Sequence, residues 1–310
     1  MPVEIEGIAD YLKLLDNGTP LQKWLTYEED PFIFAAHALR LDADLSTKQL
    51  MESTAEETLI LASRQTGKTT GMAARACQQA LFNDGTLALI VSATQRQAGI
   101  LQSRSSSFLL KLRNKHKWST VKHVEVPSDP LDENSRMVRS SVLALELANG
   151  SQIVSVPASP DTVRGYSPHL IICDEAAFIP DTVYEAIRPM RAATKAHIIA
   201  ASSAGSERGW FYNEWISEDP EWQRLEWLAD NCERVTMDFL NREREKLPDA
   251  IFKREYMNVF MPPLGSIITG ETRKMMFSTD VKARMLPFQT TNTIPGLRDP
   301  NVKARPNPFD

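Results

Sequence analysis

Cysteine is scarce in this 310-residue chain: the three present, Cys77, Cys173 and Cys232, stand far apart and form no CxxC pair. That excludes a disulfide framework and a thiol redox motif, and leaves Cys77 and Cys173 as small core residues of a reducing compartment. The five histidines stand singly, without HExxH or paired-ligand spacing, so no protein-only zinc site is expected. No run of about eighteen apolar residues occurs, and the N-terminus lacks a basic stretch followed by an apolar one. The expectation is an intracellular, soluble protein with no membrane partner. No internal repeat is present. A formal charge of −5 excludes a uniformly basic nucleic-acid coat. Charge is uneven, however. No acid lies between Asp84 and Glu125, whereas Arg96, Arg104, Lys111, Arg113, Lys115, Lys117 and Lys122 do. Such a stretch either tracks a phosphate backbone or forms a solvated helix face.

The length exceeds the usual single-domain size, so one large domain with appendages, or two domains, is expected. Residues 1–57 carry helical signals, such as Pro31 ahead of Phe32–Leu41. From Thr58 short apolar runs alternate with amphipathic stretches. Thr58–Ala62, Thr86–Ser92, His169–Cys173 and His197–Ala201 read as strands. Lys68–Phe82, Gln95–Asn114 and Thr182–Met190 read as helices. Ser141–Leu147 and Ser151–Val156 flank Asn149-Gly150, a pair that tolerates positive φ and so predicts a hairpin. Strand–helix alternation of this kind marks an α/β fold with a mostly parallel central sheet flanked by helices. Beyond Gly209 the pattern turns helical, over Trp210–Trp215, Met237–Lys246 and Ala250–Phe260. From Pro287 to Asp310 five prolines break any periodicity, predicting an extended tail. The expected organisation is a helical segment at 1–57, a core at 58–210, a helical subdomain at 211–262 and a tail at 263–310.

Ala62-Ser63-Arg64-Gln65-Thr66-Gly67-Lys68-Thr69-Thr70 follows a strand and opens a helix. It matches GxxxxGK[ST], except that Ala62 replaces the first glycine, a change that costs little if its φ is negative. In such a loop backbone N–H groups point at the β-phosphate and Gly67 permits close approach. Lys68 places a charge between the β- and γ-phosphates, and the Thr69 hydroxyl suits Mg²⁺. A nucleoside triphosphate, ATP, is the ligand expected at Ser63–Thr70.

Leu170-Ile171-Ile172-Cys173-Asp174-Glu175 ends an apolar strand in two carboxylates. Asp174 is placed to bind Mg²⁺ through water and Glu175 to polarise an attacking water; the alternative for Asp174 is a helix N-cap. Ser202 and Ser203 end the next strand, where hydroxyls either sense the γ-phosphate or simply terminate the strand.

These motifs together resemble the large terminase subunit of tailed bacteriophages, the DNA-packaging motor. Ser63–Thr70, with Arg64 early in the loop, is similar to that family's deviant Walker A; Asp174–Ile179 resembles its Walker B. Ser202-Ser203-Ala204-Gly205 occupies the coupling-motif position, and Gly209–Trp215 resembles the segment after it. Phe252-Lys253-Arg254-Glu255-Tyr256 resembles the close of the ATPase module. The resemblance covers roughly residues 45–260. It implies a P-loop NTPase fold of the ASCE, RecA-like type, and Mg²⁺-dependent ATP hydrolysis. It also implies a catalytic role for Arg64, an adenine-reading role for Gln49, although the usual neighbouring Trp is absent, and a trans-acting arginine finger at Arg164. The implied partners are double-stranded DNA, portal protein and prohead, a small terminase subunit and further copies of the chain in a ring. The implied location is the host cytoplasm. Family members continue into a nuclease domain; after Pro262 too few residues and acids remain for one. No nuclease activity is expected, and the nuclease is expected as a separate chain if present. The competing readings are a superfamily-2-like DNA helicase, or a non-motor nucleotide-dependent assembly protein. The helicase would need a second RecA-like domain, and the assembly protein would not need Glu175.

Overall fold

The computed structural model describes residues 8–42, 44–116, 143–147, 149–232 and 235–263. Lys117, Lys122, the start of the expected hairpin and the tail from 264 onward lie outside the described residues.

The N-terminal segment is helical: α1 (Ile8–Asp16), α2 (Pro20–Glu29) and a single turn, α3 (Pro31–Ile33), that widens into a π turn over Phe34–Ala38, then α4 (Leu45–Met51). Local chemistry starts each piece. Thr19 and Gln22 form a reciprocal capping box at α2, and the Asp30 and Asp44 carboxylates accept from the Ile33 and Thr47 amides.

The core follows as β1 (Glu57–Ala62), α5 (Lys68–Phe82), β2 (Leu87–Ser92), α6 (Gln95–His116), β3 (Leu143–Glu146), β4 (Gln152–Pro157), α7 (Pro160–Val163), β5 (Leu170–Asp174), α8 (Asp181–Ile187), α9 (Arg191–Thr194) and β6 (His197–Ser202). After α10 (Trp210–Ile216) comes β7 (Trp222–Trp227), then α11 (Met237–Lys246) and α12 (Asp249–Tyr256). The seven strands form one sheet in the order β3-β4-β2-β5-β6-β1-β7, parallel except for the antiparallel β3–β4 hairpin.

Alternation along the strands divides the core in two. Ile60, Ile90, Ile172 and Ile199 face α5, α6 and the N-terminal helices. Leu59, Leu61, Leu89, Val91, Ile171 and Ile198 face α8 and α10. Both faces of the central strands are therefore buried, as crossover helices require. Cys77 and Cys173 lie within these cores, and burial pushes both thiols up, that of Cys173 to about 12. At the bottom edge, Glu57 is 3% exposed and accepts from Arg188 Nη1 through both oxygens at 2.8 Å, and also from Arg191 Nη1.

One expected element is corrected. The segment after Gly209 is not helical throughout, because Trp222–Trp227 adds a strand to the sheet beyond residue 210, paired parallel to β1. Trp222, Leu225 and Trp227 turn inward, while Gln223 and Glu226 face solvent. Trp222 packs on one face of the sheet and Leu225 and Trp227 on the other, and the exposed Gln223 and Glu226 between them give the strand a polar content that mimics a surface helix.

Candidate nucleotide site

The parallel strands all release their chains at the same sheet edge, and the predicted residues collect there. β1 delivers the loop Ser63–Gly67, and α5 begins at Lys68. Gly67 has φ 88 and Gln65 φ 67, two left-handed residues that turn the loop back on itself; at Gly67 a side chain would pay for that conformation. Ala62 is the last residue of β1, in register with Trp227, and is absent from the positive-φ positions. Its strand backbone explains why no glycine is needed there.

The loop is fastened from several sides. The Thr66 hydroxyl donates to the Ser63 carbonyl at 2.9 Å. The Ser63 amide donates to the Trp227 carbonyl, and the Arg64 amide to that of Glu255, both at 2.9 Å. The buried Ser63 hydroxyl lies 2.9 Å from the Tyr256 carbonyl and 3.0 Å from Asn258 Oδ1. The Arg64 guanidinium pairs with Glu255, which also accepts from Arg254. Met261 lies farther along the same segment. Its amide donates to the Gly205 carbonyl, and its carbonyl accepts from the Glu207 amide. The stretch 255–261 thus touches both the phosphate loop and the chain leaving β6.

Across the loop, Lys68 Nζ donates to Glu175 Oε1 at 2.7 Å, and Ser202 Oγ donates to Glu175 Oε2 at 3.4 Å. Glu175 has φ 55 without being glycine; strain of this kind costs energy and persists where surrounding structure enforces it. Asp174 is 4% exposed, and its Oδ1 has no hydrogen-bond partner among the described residues. Burial, reinforced by the Glu175 carboxylate, pushes its pKa up to about 6. Ser92, in register beside Asp174 at the end of β2, is also buried with an unpartnered hydroxyl. Unpaired buried polar atoms are costly and need a purpose. A hydrated divalent cation would supply donors to Asp174, so the residues present fit Mg²⁺, with Thr69 in the first turn of α5 as the second contributor. That cation would supply charge neutralisation for the phosphates.

The remaining predicted residues are placed less centrally. Gln49, on α4, accepts through Oε1 from Trp227 Nε1 at 3.1 Å. Trp227, on β7, is thus the tryptophan that meets Gln49 in the fold. Gln65 is exposed, and the Thr70 hydroxyl accepts from Arg104. Ser203 is buried after Ser202. Arg164 follows α7, is exposed, and has no side-chain partner among the described residues. It lines an open cavity of about 500 Å³ with Thr182, Glu185 and Pro189. β4, which leads to it, is four strand positions from β1, about 19 Å at 4.8 Å per step. The structure does not bring Arg164 together with the phosphate loop of its own chain. Ser92, Trp227 and Asn258 were not signalled by motif. Ser92 has a faint signal, a hydroxyl closing an apolar run.

The family model for the large terminase subunit, T4-like-virus type, N-terminal region, matches residues 59–275. The chain belongs to this family. Among solved structures, the large terminase ATPase domain of Thermus phage P74-26 is similar at 20% identity, with a TM-score of 0.59 over 73% of this chain and 97% of that one. The HK97 bacteriophage large terminase is similar at 18% identity, with a TM-score of 0.51 over 70% of this chain and 49% of that one. The large terminase of a thermophilic bacteriophage, in complex with ADP, is similar at 12% identity, with a TM-score of 0.52 over 70% and 53%. The terminase chain described here therefore spans the ATPase domain of the first and about half the length of the other two. At these identities the likeness establishes the fold, a P-loop α/β domain.

Proposed function

We propose that this terminase chain is the ATP-hydrolysing motor of viral DNA packaging, translocating double-stranded DNA through a portal into a prohead in the host cytoplasm. The observation that carries the reading is the convergence of Lys68, Asp174 and Glu175 at the ends of β1 and β5, with a buried Asp174 oxygen left for a hydrated cation. Lys68 binds the ground-state phosphates. Glu175 releases Lys68 when ATP enters, then orients and deprotonates the attacking water. Gln49 and Trp227 border the base, and Ser202 holds the far oxygen of Glu175. Arg164, exposed and without a side-chain partner among the described residues, serves the site of a neighbouring copy in a ring, where its charge meets the γ-phosphate in the transition state. A small terminase subunit brings the DNA, and the nuclease step belongs outside the residues described.

The test combines DNA-stimulated ATP turnover with prohead-dependent protection of DNA from added nuclease. Lys68→Ala is expected to lose nucleotide binding, and Glu175→Gln to bind ATP but not turn it over. Wild-type turnover by Glu175→Gln, or turnover indifferent to DNA and proheads, would refute the reading.

A further inference from the structure

Helix α6 carries five Arg or Lys residues and no Asp or Glu in its 22 residues, within a chain of net charge −5. Its exposed positions Arg96, Ile100, Ser103, Arg104, Ser107 and Lys111 recur at three- and four-residue spacing, so they lie on one face. That face lines an open groove of about 610 Å³ together with Thr70 from the first turn of α5. Arg96 and Lys111 are fifteen residues apart, about 22 Å along the helix. Among the described residues none of the three cations has a carboxylate partner. Arg104 donates only to the neutral Thr70 hydroxyl.

Exposed arginines commonly settle on a nearby acid. Here α5 and α6 offer none, and hydroxyls stand between the cations instead. A row of unneutralised cations interleaved with Ser and Thr donors is complementary to a run of phosphates. It is less suited to a protein partner, since a protein interface core is depleted in charge. The groove is also joined to the nucleotide site, because Thr70 directly follows Thr69 and Lys68.

We propose that the α6 groove binds the phosphate backbone of DNA, and that a phosphate taking Arg104 from Thr70 relays DNA occupancy to the phosphate loop. This rests on the packaging-motor reading and specifies where its polymer touches this chain. With no DNA, Arg104 is held against the first turn of α5, restraining the residues that must close on the nucleotide. A backbone phosphate is a better acceptor for a guanidinium than a neutral hydroxyl. The restraint is therefore exchanged when DNA enters.

The experiment measures binding of a fluorescent DNA duplex against salt, and ATP turnover with and without that duplex. Each phosphate contact contributes about 0.9 to the slope of log affinity against log salt. Arg96→Glu with Lys111→Glu is expected to lower the slope by about two, weaken duplex binding at least tenfold, and leave DNA-free turnover at the wild-type rate. Arg96→Lys with Lys111→Arg should restore slope and affinity, which separates charge from misfolding. Arg104→Gln, whatever its basal rate, should bring the ratio of turnover with DNA to turnover without it close to one. If the charge-reversed protein keeps wild-type slope and affinity while wild-type binds duplex, the groove assignment is wrong and the motor reading stands. If Arg104→Gln keeps the wild-type ratio, the relay is wrong. If wild-type hydrolyses ATP but binds no duplex at low salt, both the groove and the motor reading fall.

Discussion

Asn258 Oδ1 accepts a 3.0 Å hydrogen bond from the hydroxyl of Ser63, 195 residues earlier, which fastens the first residue of the phosphate loop to the end of the ATPase module. Asn258 Nδ2 meanwhile donates to the Leu61 and Trp227 carbonyls at 3.2 Å, joining β1 to β7. Its φ of 55 is one that asparagine tolerates better than most residues. Asn258→Ala is expected to cost about 2–4 kcal/mol in urea unfolding, because several buried partners lose their mate and alanine dislikes this conformation. Asn258→Gly should be milder by about 1 kcal/mol, the backbone part alone. Both should bind a fluorescent ATP analogue more weakly. Unaltered nucleotide affinity in both would show that the tether does not shape the loop.

The elevated Asp174 pKa has a consequence for stability. Its folded value of about 6 lies above the ordinary aspartate value of 3.8, so the folded state holds its proton longer than the unfolded state. Nucleotide-free protein therefore loses stability as pH rises from about 4 through 6, by about 2–3 kcal/mol in all. Asp174→Asn removes the charge. Without nucleotide or Mg²⁺ it should melt higher than wild-type at pH 8, with the gap closing as pH falls from 6 towards 4. A variant no more stable at pH 8 would mean the buried carboxylate is compensated after all.

If Arg164 completes a neighbour's site, Arg164→Ala should fold and bind ATP yet hydrolyse it slower by on the order of 10³-fold. Mixing it with Glu175→Gln should regain activity in mixed oligomers, since some interfaces then combine an intact Glu175 with an intact Arg164. Mixed oligomers with no activity would return Arg164 to an ordinary surface role.

Glu57 tests what holds the opposite sheet edge. It is buried and faces both Arg188 and Arg191, so Glu57→Ala removes the carboxylate that two guanidiniums share, although Arg191 keeps Glu56 and the Ala196 carbonyl. A loss of roughly 3 kcal/mol is expected in urea unfolding, at the low end for a broken buried pair because Arg188 is 41% exposed. ATP affinity should be unchanged in the folded protein, the site being at the far ends of the strands. A loss below about 0.5 kcal/mol, the usual range for an exposed pair, would contradict the burial argument.

The strands β1, β2, β5 and β6 and the helices α5 and α6 were legible because each buries a continuous apolar run or stripe, a property of local sequence. So were Lys68, Thr69, Asp174 and Glu175, since a phosphate loop and a strand-end acid pair require those residue types at fixed local offsets. Tertiary structure alone decided what lies next to them. β7 is half polar and has no signature until β1 offers it an edge. Trp227 reaches Gln49, and Asn258 reaches Ser63, across most of the chain's length, and no local pattern encodes such a meeting. The Ser92 hydroxyl and the Asp174 oxygen became notable only when the fold buried both without a partner among the described residues. Local sequence set the chemistry because backbone geometry repeats over a few residues. The fold decided its neighbours because side-chain contacts depend on how the sheet is ordered.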